Sequence, residues 1–143
     1  KAGVQYVPQD VSFMEQYQIG GISTVRGFSE GLFLGQTAYF GSLETLLPIP
    51  LLPKEVPIPF TENKKFKLRD NIKFAAFTDH GAVYRNGETT THRNYLTSAG
   101  LGLRVSLTKF ITARLYWGFG IGKDREINQP TARFHFDLIS APF

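Results

Sequence analysis

The side chains that could do chemistry in this chain are few and widely spaced. Its three histidines, His80, His92 and His135, lack the His-x-x-x-His spacing of a metal site, and the sequence contains no cysteine. No Gly-x-Ser-x-Gly motif and no Ser/His/Asp arrangement indicates a nucleophile. The glycine-rich run at 118–122 ends a predicted strand and precedes no helix, so it does not predict a dinucleotide site. We therefore expect no enzymatic activity, no metal and no cofactor.

Composition and charge narrow the class of protein further. The 143 residues carry 16 Lys and Arg against 12 Asp and Glu, a net charge of +4 that argues only weakly for nucleic acid or anionic lipid. An aromatic content of 14% excludes a disordered chain, and 14 Gly with 8 Pro favour strands and turns over a helical bundle. No apolar run reaches about 18 residues, so no transmembrane helix is predicted.

Alternating hydrophobicity predicts about six strands in one domain. The pattern is clearest at 110–122, where apolar side chains occupy one face and Thr, Arg, Tyr and Gly occupy the other. The predicted strands cover residues 1–7, 36–47, 72–79, 100–107, 110–122 and 133–138. Thr108 and Lys109 are predicted to form a tight turn, whereas the predicted connections on either side are long. The proline-rich connection at about 48–65 cannot be a central strand, because each proline removes a ladder donor.

The polar face of these strands differs from the surface of a soluble protein. It carries Gly, Ser, Thr and isolated Arg or Lys, while the apolar face has little charge and has aromatic residues near the strand ends. Membrane β-barrels have this pattern, with lipid outside, a polar lumen, and tight turns alternating with long loops. A soluble barrel that holds a small apolar ligand is the alternative at this length. Six strands are too few to close a membrane barrel, so that interpretation requires further strands.

Several segments, in order along the chain, resemble the outer-membrane translocase superfamily. The run at 19–28, with Val25, Arg26, Gly27 and Phe28 at its tip, is similar to the signature of the superfamily's long lumen-folding loop. That superfamily includes the Bam-complex insertase and the two-partner secretion transporters. The resemblance therefore implies an outer-membrane protein of the Gram-negative type.

Three later segments extend the resemblance over essentially the whole chain. A strand with Glu44 follows the loop, and Phe77, Asp79 and Gly81 match the family's Phe-x-Asp-x-Gly strand motif. The run at 96–104 resembles the family's Ser-Ala-Gly-x-Gly-x-Arg strand, and the chain ends on an aromatic residue, Phe143, as the C-terminal signal of these barrels does. The flanking residues are closer to the haemolysin and haemagglutinin secretion transporters than to the insertase.

The resemblance implies an all-β fold, an antiparallel transmembrane β-barrel of which residues 1–143 form the C-terminal six of sixteen strands. The loop at about 17–35 would fold into the lumen, and the proline-rich connection at about 48–65 would lie on the periplasmic side, where turns are usually short. Proline before Phe143 is a second departure from the family's pattern, and it puts recognition by the assembly machinery in question.

A salt bridge inside the lumen is the site that the resemblance implies. Arg26 would contact Asp79, with Glu44 as a second partner, and Gly27 would let the tip turn tightly. Arginine suits this position because its planar fork binds a carboxylate through two hydrogen bonds.

The function implied is a pore that transports an unfolded client polypeptide across the outer membrane. The implied partners are the client, outer-membrane lipid, the barrel-assembly machinery, and the remaining strands and POTRA domains of a longer protein; no nucleic acid is expected. An assembly insertase, a barrel fused to an enzyme such as a patatin-like lipase, and the soluble ligand-binding barrel stay open as alternatives.

Overall fold

The computed structural model describes residues 1–54, 56–57, 65–85, 94–108, 110–121 and 132–140. The strands are β1 (Ala2–Gln5), β2 (Tyr17–Ile19), β3 (Phe33–Gly35), β4 (Thr37–Pro48), β5 (Val56–Pro57), β6 (Lys65–Phe66), β7 (Ile72–Tyr84), β8 (Asn94–Ser106), β9 (Ile111–Gly120) and β10 (Ala132–Ser140). A 3₁₀ turn covers Phe13–Glu15 and a one-turn helix, α1, covers Leu68–Asn71. Phe143 and Lys109 lie outside the described residues.

Six strands form one antiparallel sheet in the order β1-β4-β7-β8-β9-β10. The predicted all-β, antiparallel class is therefore confirmed. Pro48, expected in the proline-rich connection, is instead the last residue of β4 and lies opposite Lys73. Further along that connection, β5 and β6 pair with each other, separately from the main sheet. The sheet does not close into a barrel within the described residues, and the total of sixteen strands stays a prediction.

Strands β2 and β3 pair as a hairpin whose long tip, residues 20–32, lies against one side of the sheet. We call that side the loop-covered face and the other the outward face. The hairpin and the sheet enclose a small apolar core: Ile19, Val25, Phe28, Ala38, Val83 and Leu96. The period-2 pattern of the strands thus separates the residues that meet the loop from those that do not.

The outward face carries the large apolar side chains. Leu43 is 71% exposed, and Phe134 and Phe136 are each 68% exposed. Trp117 stacks on Phe134 with 5.1 Å between ring centroids. A soluble barrel would turn this face inward to form its core, so the soluble alternative is not supported. Among the described residues, no helix is long and apolar enough to cross a membrane.

A single cross-sheet contact shows that the sheet curves around the loop. Glu44 on β4 and Tyr116 on β9 are three strand spacings apart, about 14 Å in a flat sheet. Nevertheless, the Tyr116 hydroxyl donates to the Glu44 carboxylate at 3.0 Å. Side chains of this length can meet only if the loop-covered face is concave.

Candidate functional site: the loop-anchoring cluster

Arg26, at the tip of the hairpin, binds two carboxylates of the sheet. Its Nε and Nη2 donate to the two oxygens of Asp79, each at 2.8 Å, and its backbone N–H donates to the same carboxylate at 3.0 Å. Its Nη1 donates to Glu44 at 2.6 Å, and Nη2 also donates to the Ser42 hydroxyl at 2.9 Å. Arg26 is 5% exposed and Asp79 is 1% exposed. All the nitrogens of the guanidinium therefore have acceptors, and we call this group the loop-anchoring cluster.

The charge of Arg26 is stabilised by these partners. Burial alone would lower the pKa of its guanidinium, but the hydrogen bonds that Arg26 donates to Asp79 and Glu44, together with the attraction of these two negative charges, outweigh burial and raise that pKa above its ordinary value. Arg26 is therefore charged at every physiological pH.

Two further strand residues, Arg104 and Tyr116, hold the Glu44 carboxylate in place. We call the strand residues that surround Arg26 the wall: Ser42, Glu44, Phe77, Asp79, Arg104 and Tyr116. Arg104 pairs with Glu44 Oε1 at 2.7 Å and donates through Nε to the Tyr116 hydroxyl at 3.0 Å. The Glu44 carboxylate thus has donors from the loop, from β8 and from β9. The network links the tip to strands that do not neighbour β4 in the sheet.

Two aromatic rings of the sheet pack against the Arg26 guanidinium. The Arg26 Cζ lies 3.7 Å from the centroid of the Phe77 ring and 4.6 Å from that of Tyr116. The two rings meet edge to face at 5.5 Å. These contacts add cation–π attraction and exclude water from the ion pair.

Glycines of β8 make room for these rings. A Cβ on Gly100 would lie 2.6 Å from the Phe77 ring, and one on Gly102 would lie 2.3 Å from the Tyr116 ring. The small residues of this strand therefore leave space for the Phe77 and Tyr116 rings, which reach over it from β7 and β9.

Glycines of β9 make room for the loop tip. A Cβ on Gly118 would lie 2.6 Å from the backbone nitrogen of Gly27, and one on Gly120 would lie 2.6 Å from the Phe28 ring. Gly27 has φ of +92°, a conformation that side-chain-bearing residues rarely adopt. Its N–H donates to His135 Nε2 on β10 at 2.9 Å, so the tip contacts the last described strand as well.

The substitution Gly118→Ala is expected to unseat the tip, because the added Cβ would overlap the Gly27 backbone. A backbone cannot rotate away from the new atom as a flexible side chain would. Overpacking of this kind costs about 1–3 kcal/mol, which raises the unseated population by about fivefold to a hundredfold. The measurement is the labelling rate of Val25→Cys, a fully buried tip position, by a small thiol reagent in the full-length barrel. Gly41→Ala is the matched control, because a Cβ there would meet nothing within 4 Å; equal labelling of the two variants would contradict the expectation.

The structure brings the loop tip and three of the strand residues named from the sequence together. Asp79 and Glu44 both contact Arg26, the Phe77 ring covers it, and Val25 and Phe28 are buried against the wall. Gly81 gives Val25 room, since a Cβ there would lie 3.1 Å from Val25 Cγ2. Phe143, the remaining residue, lies outside the described part of the chain.

Sequence reasoning missed four contributors: Ser42, Arg104, Tyr116 and His135. Alternation had put all four on the polar face, but alternation does not tell which of them contact the tip. Only the register of the strands and the curvature of the sheet bring them together. Among the described residues, no group of three His, Asp or Glu side chains could hold a metal ion.

Comparison with known proteins identifies the family of the chain. No curated protein and no solved structure matches the chain. The model of the Omp85 superfamily domain, however, matches residues 1–138, nearly the whole sequence. The match supports an outer-membrane location in general and a role in polypeptide translocation or insertion, and does not decide between those two roles. The chain belongs to the Omp85 superfamily.

Proposed function

We propose that this chain is the C-terminal part of an outer-membrane barrel that secretes an unfolded client polypeptide. The observation that carries the proposal is the burial of Arg26 against Asp79 on the concave face of a sheet whose opposite face is apolar and exposed. A loop pinned to the inner wall occupies space through which a client would pass. Its anchoring therefore controls the shape of the passage.

The same features support the assignment of faces. Exposed Leu and Phe on the outward face suit contact with lipid chains, and the Ser, Gly and paired charges of the loop-covered face suit a water-filled lumen. Residues 1–143 would then supply six strands, and the rest of a sixteen-stranded barrel and its POTRA domains would come from elsewhere in the complete protein. Two-partner secretion is the subtype we favour, because the tip and strand motifs are closer to it.

Arg26→Ala in the full-length protein tests the proposal. In a strain whose only copy carries this change, we expect the secreted client to fall at least about tenfold in the medium, because loss of the buried ion pair frees the tip. The barrel should still be found in the outer membrane. Quantitative proteomics of medium and outer membrane, against a wild-type strain and a deletion strain, gives both measurements.

Arg114→Ala is the matched control for charge. Arg114 lies on the same face and pairs with Asp137, but makes no hydrogen bond to the tip. It should leave secretion near the wild-type level. Loss of many outer-membrane barrels in the Arg26→Ala strain, with no single secreted protein affected, would instead indicate an assembly insertase, and normal secretion would exclude the proposed role of the tip.

A further inference from the structure

Three strand residues around Arg26, namely Glu44, Phe77 and Tyr116, are also held by contacts within the sheet. Arg104 and Tyr116 orient the Glu44 carboxylate through contacts made within the sheet. The Phe77 ring rests over Gly100 and against Tyr116, also within the sheet. An acceptor and two rings are thus already in position for a guanidinium.

The Asp79 carboxylate, in contrast, is held by Arg26 and not by the other described strand residues. Among the described residues, its hydrogen bonds come only from Arg26, and the residue is 1% exposed. Ser98, directly opposite it in register, is fully buried and its hydroxyl has no hydrogen-bond partner in the described part of the chain. A carboxylate in such surroundings is strongly stabilised by any cation that replaces the arginine.

The geometry selects one kind of cation. The acceptors Asp79, Glu44 and Ser42 take hydrogen bonds from three different nitrogens of one planar group. The single ammonium nitrogen of lysine cannot span these acceptors, and it also stacks less well on aromatic rings.

We propose that this wall is a receptor for arginine side chains of the client. Arg26 fills it in this structure, and an arginine of the transiting polypeptide fills it when the tip withdraws. The proposal rests on the secretion function proposed above and names the chemical class that the lumen recognises. The Arg26 guanidinium and the guanidinium of a client arginine would thus share one binding site. Entry of the client would therefore compete directly with seating of the loop tip.

Chemical rescue provides the test. Alanine at position 26 retains Cβ, and N-ethylguanidinium supplies the atoms that Arg26→Ala lacks. In purified full-length Arg26→Ala barrel in detergent, we expect calorimetry to show saturable binding of N-ethylguanidinium. Binding should be about tenfold weaker or worse for ethylammonium and for the double variant Arg26→Ala/Asp79→Asn. Equal binding of the two cations, or binding that survives the loss of Asp79, would overturn the receptor.

The client is represented by short peptides. Gly-Arg-Gly should bind Arg26→Ala in competition with N-ethylguanidinium, whereas Gly-Lys-Gly and the citrulline peptide should not; failure of Gly-Arg-Gly to compete overturns the assignment of the ligand class. If Arg26→Ala does not assemble alone, refolding with each cation replaces the titration. Recovery of the folded barrel with N-ethylguanidinium but not with ethylammonium supports the receptor. Equal recovery with both cations, or recovery with neither, overturns it.

The outcomes separate the two proposals. Saturable binding of N-ethylguanidinium to Arg26→Ala, in a strain where this variant secretes normally, would sustain the receptor and remove the proposed role of the tip in secretion. Loss of secretion with no binding of any guanidinium would sustain that role and remove the receptor.

Discussion

Asp79→Asn is expected to release the loop tip from the wall almost completely. The substitution leaves the Arg26 guanidinium buried opposite a neutral amide, and breaking a buried pair in this way costs about 3–5 kcal/mol. At about 1.4 kcal/mol per tenfold, the unseated population rises by a hundredfold or more. The labelling rate of Val25→Cys in the full-length barrel measures that population.

Two comparisons make this result specific. Glu44→Gln should have a much smaller effect, because Asp79 still holds Arg26 through two side-chain hydrogen bonds. Asp137→Asn removes an acid from the same face that pairs with Arg114 and is partly exposed, so labelling should stay at the wild-type rate. If Asp137→Asn accelerates labelling as much as Asp79→Asn does, the effect is general weakening of the sheet.

The strands and their faces could be predicted from the sequence because they are encoded locally. The pattern at 110–122 predicts β9, observed at Ile111–Gly120, and it places Arg114 and Tyr116 opposite Leu115 and Trp117. Neighbouring side chains on a strand point to opposite faces whatever the rest of the fold does. The ends depend on the loops and are predicted less well: those of β9 shift by one or two residues, whereas β7 continues to Tyr84 and β8 begins already at Asn94.

The anchoring residues of the tip were predicted for a different reason. Nothing in the residues between Arg26 and Asp79 brings them together, and their pairing followed from the resemblance of both segments to a known loop and strand. The Glu44–Tyr116–Arg104 network was missed because it depends on long-range geometry. It requires the register of four strands and a curvature that brings β4 and β9 together.

The glycines show the same limit. The alternation at 110–122 places Gly118 and Gly120 on the polar face of a strand but does not say why they are small; in the structure a backbone or ring of the tip rests on each of them. The residue that makes the contact, Gly27 or Phe28, lies about 90 residues away in the chain. Such a requirement becomes visible only when the loop is seen lying on the strand.

Tyr116→Ala is expected to destabilise the seated tip about as strongly as loss of Asp79. Tyr116 is 1% exposed, and its ring contacts both the Arg26 guanidinium and Phe77. Truncation of a buried aromatic side chain typically costs about 3–5 kcal/mol, and here it also opens the ion pair to water. Labelling of Val25→Cys should therefore rise by a hundredfold or more.

Tyr116→Phe separates the ring from its hydroxyl. The ring keeps its contacts with Arg26 and Phe77, and Glu44 keeps Arg104 as a donor, so the expected cost is only about 1 kcal/mol. Trp117→Ala is the matched control, because this neighbouring and larger ring is 44% exposed on the outward face and should not alter labelling. Equal effects of Tyr116→Ala and Tyr116→Phe would assign the seating of the tip to the hydrogen bond with Glu44, since the ring would then contribute nothing.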